Sequence, residues 1–402
     1  MKRYVIVGAG VRCYGAFVKN LTEHFKESVR LVGVYDVNKI RSNEFKKVIG
    51  KECTVYDDYD TMLDTEKPDA VIVTTVDSVH HEYIVRALDK GYDVISEKPV
   101  TNTFERCLAV REAEKRSGRK VTVTFNCRFM PYFAQIKSAI KENGIGKILA
   151  VNYEYCLNRW HGGDYFKRWH RMMKNSQGML LHKSTHHFDL ANWLIGDEPA
   201  RVTALGNRVY YGNEQKSHAE RCSRCPKANE CESAKSQTAE LDEILYFNAE
   251  KEDGYIRDKC CFLPDSDILD NMSVSVAYKN GAILTYSLNL FSQHEGFRLV
   301  ITGENGVLIV STFDDDKKDE NVITVLKKDG AQELKFDKAE GTHSGGDIRM
   351  LSMIFGEETG DPLGQLASSY DGFVSAMIGV AANESIKSGK TVELAEYLNK
   401  LK

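Results

Sequence analysis

Residues 3–36 run strand, glycine-rich turn, helix, strand and acid without a break, and that order leaves few folds open. Val5-Ile6-Val7 leads into Gly8-Ala9-Gly10-Val11-Arg12-Cys13, a helical pattern follows from Tyr14 to Phe25, and Leu31-Val32-Gly33-Val34-Tyr35 ends at Asp36. Gly8 permits a tight turn, and Gly10 lets the backbone approach a pyrophosphate at the helix amino terminus. Asp36 is placed to accept hydrogen bonds from adenosine ribose hydroxyls. The expected cofactor is therefore NAD rather than NADP, whose 2′-phosphate Asp36 would repel, although Lys39 and Arg41 lie close enough to weaken that preference. Cys13 replaces the third glycine of the fingerprint, so helix and strand are expected to pack less closely there, or to find relief at Gly15.

The alternation continues with strands at 3–7, 30–35, 69–74, 92–96 and 120–125 and helices at 13–25, 38–49, 79–90 and 103–117. It implies a Rossmann domain, a doubly wound parallel sheet, over 1–125. From Asn126-Cys127-Arg128-Phe129 the pattern changes. Helix 132–143, strand 147–155, a helix near 179–195 closed by Gly196 and Pro199, antiparallel strands from about 270, and helix 369–388 read as an α+β domain over 126–402. Asn280-Gly281 and Asn305-Gly306 mark hairpin turns in its sheet. At 402 residues, two domains are the expectation. Net charge is −4 with both signs interspersed, which argues against nucleic acid as a partner. No long uncharged apolar run is present, so a soluble cytoplasmic protein without membrane attachment is expected. The run Asp314 to Glu320 reads as a solvated loop.

Tyr92-Asp93-Val94-Ile95-Ser96 ends at Glu97-Lys98-Pro99. A lysine at the carboxyl end of a buried strand must pair with an acid or work on a ligand. In an open parallel sheet, ligands sit outside those strand ends, so Lys98 is expected in the crevice. A structural Glu97 to Lys98 salt bridge is the bland alternative.

His182, His186 and Asp189 fall at i, i+4 and i+7 of the 179–195 helix and would share one stripe, continued by Trp193. Histidine is suited to proton transfer near neutral pH. A pair of satisfied core histidines, or a catalytic metal, are the rival readings. Arg159 to His170 packs aromatics, bases and an acid together, which suits a polyhydroxylated ring with apolar C–H faces. Five of the ten cysteines, Cys222, Cys225, Cys231, Cys260 and Cys261, cluster in a charged, apolar-poor insertion at about 206–265, where clustering favours metal over disulfides in a reducing compartment.

Taken together, Gly8-Ala9-Gly10, Asp36, His80, Glu97-Lys98-Pro99, Asn126 to Phe129, the helix with His186 and Asp189, and Asp371-Gly372 resemble the Gfo/Idh/MocA superfamily of glucose-fructose oxidoreductases, inositol dehydrogenases and rhizopine catabolism proteins. The resemblance implies hydride transfer between nicotinamide and a sugar or cyclitol hydroxyl. It implies Lys98 at substrate and nicotinamide, His186 as acid/base, and Thr75, His80, Glu97 and Asn126 as further cofactor contacts. His182 stands where many members carry Asp, and Lys183 follows it; both, with Arg168, His170 and Asp189, are candidates at the substrate. The insertion is similar to that of a subgroup with a cysteine motif, matched by Cys222, Cys225, Cys231 and Cys260, which implies a structural zinc. A homo-oligomer through the large sheet is expected as well. Two rival functions remain: redox-neutral cleavage or elimination through a transient keto-sugar, and a nicotinamide-sensing binding protein.

Overall fold

The computed structural model describes residues 1–142, 144–235, 238–313, 321–336, 341–356 and 360–402. The expected loop Asp314 to Glu320 and Asn143, the last residue of the expected helix 132–143, lie outside these. Six parallel strands form the first sheet: β1 (Lys2–Val7), β2 (Val29–Tyr35), β3 (Thr54–Val55), β4 (Ala70–Val73), β5 (Asp93–Ser96) and β6 (Val121–Val123). Their order is β6-β5-β4-β1-β2-β3, with Ala367–Ser368 pairing antiparallel to β6. Helices cover both faces, so Val5, Ile6 and Val7 are all fully buried and read as an unbroken apolar run. Strand order reverses between β1 and β4, and a crevice opens at their carboxyl ends. Gly8 and Thr74 meet there.

The second sheet contains β7 (Ile148–Asn158), β8 (Pro199–Asn207), β9 (Asn271–Tyr278), β10 (Ile283–Ser292), β11 (Gly296–Gly303), β12 (Val307–Ser311), β13 (Asn321–Lys327) and β14 (Gly330–Phe336). The order is β14-β13-β12-β11-β7-β10-β9-β8, with Val392–Glu393 beside β8. Only β7 and β10 pair in parallel among these strands. Burial alternates along β9 and β10, so one face is core and the other is open. Helix Ser369–Ser388 packs against β8, and helix Thr185–Ile195 packs against that helix.

Three local differences from the sequence reading matter. The first helix spans Val11 to His24 but carries a π-type turn at Tyr14–Val18, immediately after the buried Cys13. A Cβ on Gly15 would meet open space, so that glycine gives no packing relief. The expected helix 179–195 is two helices, Met179–His182 and Thr185–Ile195, joined through Lys183 and Ser184. The stripe of His182, His186 and Asp189 is therefore broken. Finally, helix Tyr59–Glu66, β3 and β8 were not expected, because two of them are short and β8 opens on a proline that reads as a stop signal.

Candidate functional site

The glycine turn is shaped by crowding. Gly8 has φ of 94°, and a Cβ there would lie 2.7 Å from the Thr74 and Thr75 backbone. Asp36 accepts from Ala9 N at 2.6 Å and from Asn38 N at 2.8 Å, and its other contacts come from the Arg41 guanidinium. Over this turn lies the insertion. Tyr246 hydroxyl receives the Val11 N–H at 3.1 Å and sits 3.2 Å from where a Gly10 Cβ would be. The same strap holds the start of helix Lys39–Ile49: Asn38 Nδ2 donates to Ala249 O, Glu252 accepts from Lys39 N, and Asp253 pairs with Arg41 at 2.6 Å.

Glu97 and Lys98 do not pair through their side chains. Glu97 binds Arg12, and Arg12 also binds Asp347, which in turn accepts from Asn126 Nδ2 at 2.7 Å. Asp347, a residue that sequence reasoning missed, thus ties Arg12 to Asn126, and Arg12 in turn holds Glu97. His80 is likewise a brace, since its two ring nitrogens lie 2.8 Å from Pro99 O and 2.9 Å from Thr75 O. Thr75 Oγ1 and Asn126 Oδ1 are buried without a partner among the described residues. Such orphaned atoms fit a nicotinamide cofactor that would satisfy them.

Lys98 Nζ donates to the His182 carbonyl at 3.0 Å and has no ion-pair partner among the described residues. Burial lowers its pKa to about 8, against the pull of Asp77 and Glu97. His182 Nδ1 lies 2.6 Å from Asp77 Oδ2, a contact between buried groups. Burial, then Lys98 and His170, hold His182 well below its ordinary pKa, while burial lifts Asp77 well above its own. With Asp77 ionised, a neutral His182 donates Nδ1–H and leaves Nε2 as an acceptor. Asp77 was missed; its place just past β4, at the reversal of strand order, was the available signal.

His186 is 6% exposed, its Nδ1 has no partner among the described residues, and burial followed by Lys98 and Lys183 keeps it neutral. His170 stacks on Trp169 at 3.6 Å and faces the His182 ring at 4.3 Å. Lys183 lies over the Tyr155 ring at 5.4 Å. Burial works against its charge, but Tyr165, Tyr155 and Glu295 outweigh it and raise its pKa. Arg168 pairs with Asp164 at 2.6 Å and covers the Tyr165 ring. Lys98, His182, His186, His170 and Lys183 therefore form one electrostatically coupled cluster. Asp189 is outside it. Both its oxygens accept from Arg128, at 2.6 and 2.8 Å, in the core, so its expected substrate contact is replaced by a structural ion pair.

The insertion thiols of Cys222, Cys225, Cys231 and Cys260 line one small cavity of about 30 Å³, with Cys261 and His218. Among the described residues, however, no three His, Cys, Asp or Glu side chains converge to hold a metal ion, so the expected four-thiolate zinc site is not supported by this arrangement. The Cys260 thiol is engaged by its neighbour Cys261 and by the Ser217 hydroxyl, contacts that bring its pKa down to about 6. No helix among the described residues is long and apolar enough to cross a membrane.

Comparison with known proteins agrees with this architecture. Residues 2–125 match the family model described as the NAD-binding Rossmann fold of an oxidoreductase family, and residues 137–394 match that family's C-terminal alpha/beta domain. Bacillus subtilis YteT is 32% identical over 423 residues, covering 98% of each chain. The NAD(+)-dependent scyllo-inositol 2-dehydrogenase of the same organism is 31% identical over 204 residues, 51% of this chain and 57% of its own. Levoglucosan dehydrogenase in complex with NADH shares the fold, with a TM-score of 0.70 at 17% identity over 98% of both chains. With both halves matched by one family and a full-length relative beside them, this chain belongs to the Gfo/Idh/MocA oxidoreductase family.

Proposed function

We propose that the protein is an NAD(H)-dependent dehydrogenase that moves hydride between nicotinamide and a hydroxyl of a sugar, sugar derivative or cyclitol. The observation that carries this reading is the 2.6 Å contact between Asp77 and His182 beside a Lys98 ammonium that makes no ion pair among the described residues. Bound NAD supplies the hydride acceptor in the oxidation direction. His182 Nε2 takes the hydroxyl proton, Asp77 fixes the tautomer that makes this possible, and Lys98 stabilises developing alkoxide charge. His186, which has no acid partner among the described residues, positions a neighbouring hydroxyl, although the sequence reading gives it the proton. The test is single-turnover hydride transfer in folded, NAD-bound variants. His182→Ala should cost about two to four orders of magnitude and exceed the loss in His186→Ala; the reverse ranking returns the proton to His186.

A second reading is redox-neutral cleavage or elimination through a transient keto-sugar. The strap carrying Tyr246 across the glycine turn favours it, because a covered cofactor exchanges slowly and suits a cycle that returns its hydride. Glycoside turnover without net NADH would select it. Zinc remains a proposal about the insertion alone: five thiols around one cavity are a donor set that a zinc ion would draw together. Elemental analysis after purification without added metal should find about one equivalent of zinc. Metal-free protein with freely titrating thiols ends the idea.

A further inference from the structure

Where β7 runs into helix Arg159–Lys167, a groove of about 260 Å³ opens outside the Lys98 and His182 cluster. Asn158, Arg159, Trp160, Glu232, Ser292 and Gln293 line it. Two amides, a hydroxyl, a guanidinium, a carboxylate and the Lys235 ammonium surround one indole, and Trp160 is only half-buried. Arg159 is held in place on two sides, by Glu232 at 3.3 Å and over the Tyr210 ring at 5.1 Å. An aromatic face with rigid hydrogen-bonding groups around it is the lining that a pyranose ring needs, since such a ring offers C–H faces and a rim of hydroxyls. The volume lies below the about 300–1,000 Å³ of pockets that take drug-sized ligands, and suits a single ring.

A row of packed rings lies between this groove and the reacting centre. Trp160 stacks on His161 with centroids 5.3 Å apart and planes 17° apart, and His161 stacks on Tyr165 at 5.6 Å and 23°. Tyr165 then meets His182 edge-on at 5.7 Å. His161 is fixed by Glu295, which lies 2.8 Å from its Nδ1. The row leads from the groove to the very imidazole that Asp77 orients.

We propose that the groove is a distal carbohydrate subsite, which holds the second ring of a disaccharide or glycoside whose first ring lies at Lys98, His182 and His186. The inference rests on the carbohydrate reading of the reacting centre, and it adds that the natural substrate is larger than one sugar. Trp160 provides the stacking face, and Asn158, Arg159 and Gln293 bind hydroxyls.

The experiment is calorimetric binding to the whole protein saturated with NADH, using glucose against cellobiose, galactose against lactose, and galacturonate against digalacturonate. At least one disaccharide should bind about three- to ten-fold more tightly than its monosaccharide, the reach of one aromatic contact. Trp160→Ala should abolish that gain while leaving monosaccharide affinity within about two-fold, and Trp160→Phe should keep most of it. Absence of any gain from the second ring in all three pairs overturns the proposal, as does a Trp160→Ala loss that falls equally on the monosaccharide. Hydride transfer to NAD is followed separately. A chain that shows the second-ring gain but reduces no NAD loses the dehydrogenase reading and keeps the subsite.

Discussion

Asp77 and His182 lie 105 positions apart in the chain, and the 2.6 Å between them decides which ring nitrogen can take a proton. Asp77→Asn should therefore lower turnover by about two to four orders of magnitude while leaving NAD binding intact, because an amide donates to Nδ1 and forces the wrong tautomer. Stopped-flow hydride transfer with a parallel NAD titration checks this; equal loss of both would mean misfolding instead. The pH dependence has a definite sign. Activity requires Asp77 ionised, and burial raises its pKa, so the acid limb should lie above the ordinary carboxyl value of about 3.9. Activity also requires Lys98 protonated, so the rate should fall as pH rises through about 8. Lys98→Arg, which stays charged, should move that upper limb to higher pH in a full pH–rate profile. Lys98 was legible because a strand-end lysine before proline has few quiet explanations. Asp77 was not, because its partner comes from a distant segment, and Asp189 was misplaced because Arg128 is invisible to helical periodicity. Asp189→Ala leaves the Arg128 guanidinium without its buried partner, and urea denaturation should show a loss of about 3 kcal/mol.

At the scale of elements, the break between helices Met179–His182 and Thr185–Ile195 is what separates His182 from Asp189. No glycine or proline marks that break, so periodicity alone ran through it. The alternating first half was readable because each buried strand is an apolar run bounded by turn residues. The insertion was not, because its order comes from contacts with the glycine turn rather than from a core of its own. Those contacts carry a prediction. An N–H has one hydrogen, and Val11 gives it to Tyr246 in this structure, whereas a cofactor diphosphate at the same turn would compete for it. Tyr246→Phe keeps the ring but removes the hydroxyl, and fluorescence titration should show NAD binding about two- to ten-fold tighter. Weaker binding in that variant would instead make Tyr246 a cofactor ligand.

At the scale of the whole molecule, the open face of the second sheet is broad and regular. Thr203, Ser275, Thr285 and Asn152 project from adjacent strands on that side, in register across β8, β9, β10 and β7. Leu205 is 76% exposed there and Ile283 51%, among short polar side chains that leave the surface flat. We expect this face to join copies of the chain, and light scattering after size exclusion should give a multiple of the 45.4 kDa protomer. Ser275→Arg at its centre should lower that mass without loss of helix and strand signal. A feature of the crevice also bears on how the protein is made. Arg12 waits for Asp347, 335 positions later, and Asn38 waits for Ala249, 211 positions later. At the usual pace of synthesis, about 5–20 residues per second, the second of these gaps, which ends with the strap, lasts on the order of ten to forty seconds. The emerging first sheet must therefore spend that time with its ligand crevice open and its arginines in water, exposed to whatever nucleotide the surroundings offer before the strap that covers the turn has been translated.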